Sequence, residues 1–147
     1  METLRKKGLP FTQLEVGQSL PSKDTIWFGS EEEVEDAMGE GRGIACNIDC
    51  CESAVTQATI LRNGLSEIEN ISIGIDPGPR PGLAWLADGV LMGVAQLEGI
   101  GFIVEHINSI TTAADFKNMT LRIGDGAPLL RDRIINKCLE NQWNIEE

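Results

Sequence analysis

Two aspartates stand where apolar, strand-like runs give way to glycine. Asp76 closes Ile73-Gly74-Ile75-Asp76-Pro77-Gly78, and Asp125 lies in Leu121-Arg122-Ile123-Gly124-Asp125-Gly126. A carboxylate just past the carboxyl end of a strand sits at the edge where open α/β sheets take their ligands. Adjacent strands are ~4.8 Å apart, so two such acids on neighbouring strands repel unless a cation lies between them. Mg²⁺ or Mn²⁺, which favour oxygen ligands, could occupy that place and hold a phosphate oxygen and an attacking water. Other groups near these positions in sequence are Glu98, Glu105, His106, Arg80 between Pro79 and Pro81, and Arg131 and Arg133 after Asp125. Arg80 is the candidate phosphate contact. Each also has a structural reading. Asp76 before Pro77-Gly78 can organise a turn, and Asp125 ahead of a helix can cap it. Glu105 can belong to a solvated helix face, His106 can be an ordinary half-buried histidine, and the arginines can be surface charges.

Elements must bring these residues together. Ile71 to Ile75 alternates as a strand and runs into the turn-rich loop from Asp76 to Gly82. Leu83 to Ala87 is a second strand. Asp88-Gly89 is a two-residue primed-turn signal, and Val90 to Leu97 returns as the third strand. Ile100, Ile103, Val104 and Ile107 recur with the helical period. Thr120 to Gly124 is a fourth strand. Leu130, Ile134, Cys138 and Leu139 mark one face of a helix, with Pro128 tolerated in its first turn. Asn144-Ile145-Glu146-Glu147 begins another extended segment.

Upstream, residues 1–23 read as an irregular arm, and 24–70 as a β-α-β-α segment. A strand at Thr25 to Phe28 precedes Ser30 and the acidic run Glu31 to Met38. Ser30 with Glu33 is a capping-box pattern, and acids in a first turn suit the helix dipole. Gly39, Gly41 and Gly43 close that helix, Gly43 to Asp49 reads as a buried strand, and Ser53 to Leu61 as a second helix.

Three strands joined by a loop and a hairpin, then helix, strand, helix and strand, give the element order of the RNase H-like fold. The run Ile73-Gly74-Ile75-Asp76-Pro77-Gly78, followed by Gly82-Leu83-Ala84, resembles the first-strand motif of the RuvC and YqgF branch of that superfamily. The resemblance covers residues 70–147. It implies an α/β domain at 71–147 with a mixed sheet, its first and fourth strands parallel neighbours. It also implies a divalent-metal nuclease acting on structured DNA or RNA. Asp76 carries over as the first-strand metal ligand and Asp125 as the acid after the fourth strand. Glu105 lies on the helix where RNase H proper places another acid. The family pattern continues through a fifth strand to a further acidic helix, so this chain reads as truncated there, unless residues 24–70 complete the sheet. Two alternatives follow: a non-catalytic binding or assembly module with an incomplete acidic site, and a phosphate or nucleotide binder using the N-terminus of the helix after Asp125.

Composition narrows the field. The 147 residues are 41% hydrophobic, enough for a core, and carry a net charge of -11. Residues 1–70 hold 13 acidic and 6 basic groups, net -7, and residues 71–147 hold 10 and 6, net -4. That acidity argues against coating nucleic acid by bulk charge. No stretch approaches the ~20 apolar residues of a membrane span, and no apolar run follows Met1 to Lys7, which is the reading of a soluble, cytoplasmic protein. Cys46, Cys50, Cys51 and Cys138 lack zinc-ribbon spacing and read as buried or incidental thiols. A truncated sheet would expose an edge strand through which a homodimer could form.

Overall fold

The computed structural model describes residues 1–65 and 67–146. Ser66 and Glu147, the latter the last residue of the expected final segment, lie outside the described residues. The chain divides into two compact units, Met1–Gly64 and Leu65–Glu147.

The first unit opens with a short helix where an irregular arm was expected. α1 (Glu2–Lys6) has Glu2 in its first turn and Lys6 in its last, and the two pair at 3.0 Å, one turn apart. Opposite charges at this spacing support a helix and complement its dipole. The remainder of residues 7–25 is irregular. β1 (Ile26–Gly29) and β2 (Arg42–Ala45) pair in parallel, with Ile26 opposite Arg42. They are joined through α2 (Glu31–Asp36). Its capping box is complete: Ser30 Oγ accepts from the Glu33 N–H at 3.2 Å, and the Glu33 carboxylate accepts from the Ser30 N–H at 2.7 Å. The helix stops at Asp36, two residues short of the expected Met38, which takes a left-handed φ of 48°.

β2 ends at Ala45 rather than running to Asp49. Asn47 breaks it, because its side-chain oxygen accepts from the backbone N–H groups of Asp49 (2.9 Å) and Cys50 (3.1 Å), folding the chain into a turn. α3 (Cys51–Arg62) starts directly after that turn and buries Ala54, Val55 and Ile60.

The second unit is built on a five-stranded mixed sheet with strand order β5-β4-β3-β6-β7. Its members are β3 (Ile68–Asp76), β4 (Gly82–Ala87), β5 (Val90–Gln96), β6 (Phe116–Ile123) and β7 (Ile145–Glu146). β3 is antiparallel to β4, β4 is antiparallel to β5, and β3 and β6 are parallel neighbours in register Ile75 to Ile123. The fold is therefore α/β, with the first and fourth strands of this unit side by side as expected. β1 and β2 form their own two-stranded sheet and do not complete this one, whereas residues 68–70 already belong to β3.

The hairpin between β4 and β5 turns through Asp88 (φ 47°) and Gly89 (φ 82°), both left-handed as a type I′ turn requires. Alternation divides the sheet into two faces. Ile71, Ile73, Ile75, Leu83, Trp85, Leu121 and Ile123 are buried on one side, together with Ile103, Ile107, Ile110, Ile134 and Cys138 from the two helices that cover it. Those helices are α4 (Ile103–Ala113), entered through a 3₁₀ turn at Ile100–Phe102, and α5 (Pro128–Glu140). Trp85 lies over Gly93 so closely that a Cβ there would meet its Nε1 at 2.8 Å, so this pairing needs glycine.

Leu139 does not join the buried face of α5. It is 57% exposed, whereas Ile134 and Cys138 are fully covered. The face follows the i, i+4 series, and Leu139 is rotated by about 100° from Cys138. Residues 130 and 104, also expected on apolar stripes, are half-buried.

Candidate functional site at the end of the first long strand

Asp76 is the final paired residue of β3, opposite Gly82 of β4, and not a loop residue beyond the strand. It is exposed. Its position alternates with buried Ile75, so it stands on the open face of the sheet in line with Gly74 and Ser72. Gly82 and Gly126 keep its surroundings open. A Cβ on Gly82 would lie 3.6 Å from the Asp76 Cβ, and one on Gly126 would lie 3.8 Å from its Oδ1. The loop bearing Asp125 is tied alongside by the Gly124 N–H, which donates to the Ile75 carbonyl at 2.9 Å. That bond carries the parallel pairing one residue further, so Gly124 is level with Asp76 and Asp125 follows it.

The structure thus brings Asp76 against the Asp125 loop. The two carboxylates differ in their partners. The Asp76 carboxylate makes no hydrogen bond or ion pair among the described residues. The Asp125 side chain is wholly exposed, and its Oδ1 lies 3.6 Å from Arg131 Nε. That nitrogen is buried and has no hydrogen-bond partner among the described residues, so Asp125 is the anion nearest to it.

The structural alternatives for both aspartates fare poorly. α5 is not capped by Asp125: its N-cap is Ala127, in a left-handed conformation, without a side-chain cap bond, and Pro128 follows. The turn after Asp76 has no hydrogen bond to the Asp76 carboxylate among the described residues. It is anchored instead by Pro81, which is fully buried and whose carbonyl accepts from the Leu97 N–H at 2.9 Å.

The remaining candidates are dispersed. Arg80 pairs with Glu98 at 2.7 Å, both of them exposed, so the phosphate candidate and one acidic candidate satisfy each other. Glu105 is exposed in the first turn of α4, and His106 beside it is half-buried. Arg133 is exposed on α5.

One pair on this face escaped the sequence reading. Gly74 lies level with Ala84 and then Val94 on one side, and with Arg122 and then Glu146 on the other. Together with Asp76 they line an open groove of about 610 Å³. The Arg122 guanidinium is held by Glu146, with Nε at 3.2 Å and Nη2 at 2.9 Å from one carboxylate oxygen. The alternation of Leu121, Arg122 and Ile123 was the available signal. It places Arg122 on the face opposite the core, and the parallel register sets it beside Gly74.

Carboxylate oxygens are the right donors for Mg²⁺ or Mn²⁺. The set is not assembled for one, however. Asp125 faces a guanidinium, and among the described residues no three His, Cys, Asp or Glu side chains converge as a metal cage. The groove can offer one open carboxylate, a buffered guanidinium and a floor of small residues.

No family model, curated protein or solved structure matches this chain. Among the described residues no helix is long and apolar enough to cross a membrane.

Proposed function

We propose that residues 65–147 are an RNase H-like module of the RuvC and YqgF type that binds or assembles with a target through its open sheet face. In this reading it lacks a complete catalytic acid set. The carrying observation is the pairing of Asp125 with Arg131, a half-buried side chain whose Nε is buried and has no hydrogen-bond partner among the described residues. A carboxylate already beside a guanidinium is a weaker ligand for a second cation, because the two positive charges compete for it and repel each other. The β5-β4-β3-β6-β7 order and the aspartate that ends the central strand support the RNase H-like reading. The groove floor of Gly74, Ala84 and an exposed Val94 supports a contact surface.

One observation favours a second reading, metal-assisted phosphodiester hydrolysis. Asp76 is exposed, with the glycines Gly82 and Gly126 beside it. That activity would need Asp125 to leave Arg131 and a further acid to join them. The two readings separate in one experiment. Purified chain is mixed with labelled junction, duplex and RNA–DNA hybrid substrates across a Mg²⁺ and Mn²⁺ titration. The module reading expects no cleavage, and any anisotropy change on binding to be independent of added Mg²⁺ or Mn²⁺. Metal-dependent cleavage that disappears in Asp76→Ala would establish the nuclease and overturn the module.

A further inference from the structure

We propose that Cys46 and Cys51 form a modification site for low-molecular-weight disulfides, a dithiol that closes to a reversible Cys46–Cys51 bond. It lies at the turn between β2 and α3 in the first unit and is independent of the acidic groups in the second.

Three thiols within the six residues 46–51 need not meet. The turn makes them meet. Asn47 folds the chain back through its two side-chain hydrogen bonds, and Cys51 then opens α3. The Sγ atoms of Cys46 and Cys51 are 3.6 Å apart. Both thiols, and that of Cys50, lie around a single acceptor, the Asn47 carbonyl, at 3.5, 3.1 and 3.7 Å respectively. Cys50 has a further tie, since its sulfur accepts from the Asn47 N–H at 3.1 Å. All three cysteines are half-buried and free, open to a small reagent.

A disulfide is about 2.05 Å long, so closure asks the two sulfurs to approach by roughly 1.5 Å, a small χ1 adjustment at each end. Burial, with Cys51 and Cys50 beside it, pushes the Cys46 thiol up to about 12. Cys46 is thereby disfavoured for the first attack, which the proposal gives to Cys51. Its thiolate attacks one sulfur of a disulfide RSSR, forming Cys51–S–SR. The RSSR bond breaks, and the departing thiolate takes up the proton Cys51 released, giving one RSH. In the mixed disulfide, Cys51 no longer carries charge beside Cys46, which removes one influence holding the Cys46 proton, while burial, the largest, remains. The Cys46 sulfur then attacks the Cys51 sulfur and displaces RS⁻, which leaves with the Cys46 proton as a second RSH. Two protein thiols are oxidised and one small disulfide is reduced, so atoms and electrons balance. Such reversible bonds suit a reducing compartment, where structural disulfides do not persist.

The test incubates the native full chain with glutathione disulfide and follows free thiols and intact mass. The expected result is loss of two of the four thiols, a mass lower by two hydrogen atoms, no retained glutathione, and full reversal by dithiothreitol. All three thiols fall in one tryptic peptide, Gly43 to Arg62, so the link is assigned by variants. Cys50→Ser should still close, whereas Cys46→Ser should trap glutathione on Cys51. Four unreacted thiols, persistent glutathione on the wild type, closure that survives Cys46→Ser or closure lost in Cys50→Ser would each overturn the proposal. The wild-type arm is decisive even where a variant fails to fold.

Discussion

Asp88 and Asp76 lie at opposite ends of the β3–β4 ladder and are treated in opposite ways. At the hairpin end, the Asp88 carboxylate accepts from the backbone N–H groups of Asn70 (2.8 Å) and Glu69 (3.1 Å), and its own N–H donates to the Asn70 carbonyl. The same end is pinned across to β6 by Lys117 with Glu69 and by Asn118 with Asn70. At the far end, Asp76 lies beside Gly82 and Gly126, and its carboxylate makes no hydrogen bond or ion pair among the described residues. Backbone explains the difference. Asp88 has a left-handed φ at the first turn position, which brings its side chain back to the start of β3. Asp76 remains extended on the open face. One aspartate is consumed in holding the strands; the other is left for solvent or a ligand.

The common scale for both ends is the core between them. Ile73 is fully buried at mid-strand, and Ile73→Ala should cost about 2–5 kcal/mol in urea unfolding, from lost transfer energy and the cavity left behind. Asp88→Ala should cost about 1 kcal/mol, since two amides lose an ionised acceptor but can turn to water at this exposed turn. A neutral result there would remove the structural half of the comparison.

Dryness beneath the sheet can be checked by pH. Burial pushes the Cys138 thiol from 9.0 up to about 11. The folded state thus favours the neutral thiol. That contribution to stability is fully present below pH 9 and is lost as pH rises through about 11. A Cys138→Ala variant should show a smaller decline in its unfolding midpoint than wild type over that window. An equal decline would mean that the thiol does not report the core.

The smallest expected effect is at the open end. Asp76→Ala should change stability by no more than roughly 0.5 kcal/mol, as for exposed substitutions without special contacts. A loss as large as that of Asp88→Ala would show that Asp76 also serves the fold.

Signals that act within a few residues were legible in the sequence. Period-two alternation marked β3 and β4, Asp88-Gly89 marked its turn, and Ser30 with Glu33 marked a helix start. The limits of β2 and β6 were less so. Asn47 ends β2 through side-chain bonds that compete with strand pairing. β6 is extended back to Phe116 by pairing with Ile68, a partner 48 residues away. The candidate site was half legible. Asp76 could be picked out at its strand end, whereas Arg122 needed the register and Glu146 needed a strand of two residues.

Asp76 at a strand terminus and three cysteines within six residues follow from residue order, because periodicity and chain connectivity are local; the parallel neighbour of that strand was what the resemblance implied. The choice of partners was decided only in three dimensions. Asp125 faces Arg131, Arg80 takes Glu98, and Cys46 meets Cys51. Long charged side chains have many rotamers of similar energy. Which oppositely charged group each one reaches is set by register and packing, and neither is encoded in any short stretch of chain.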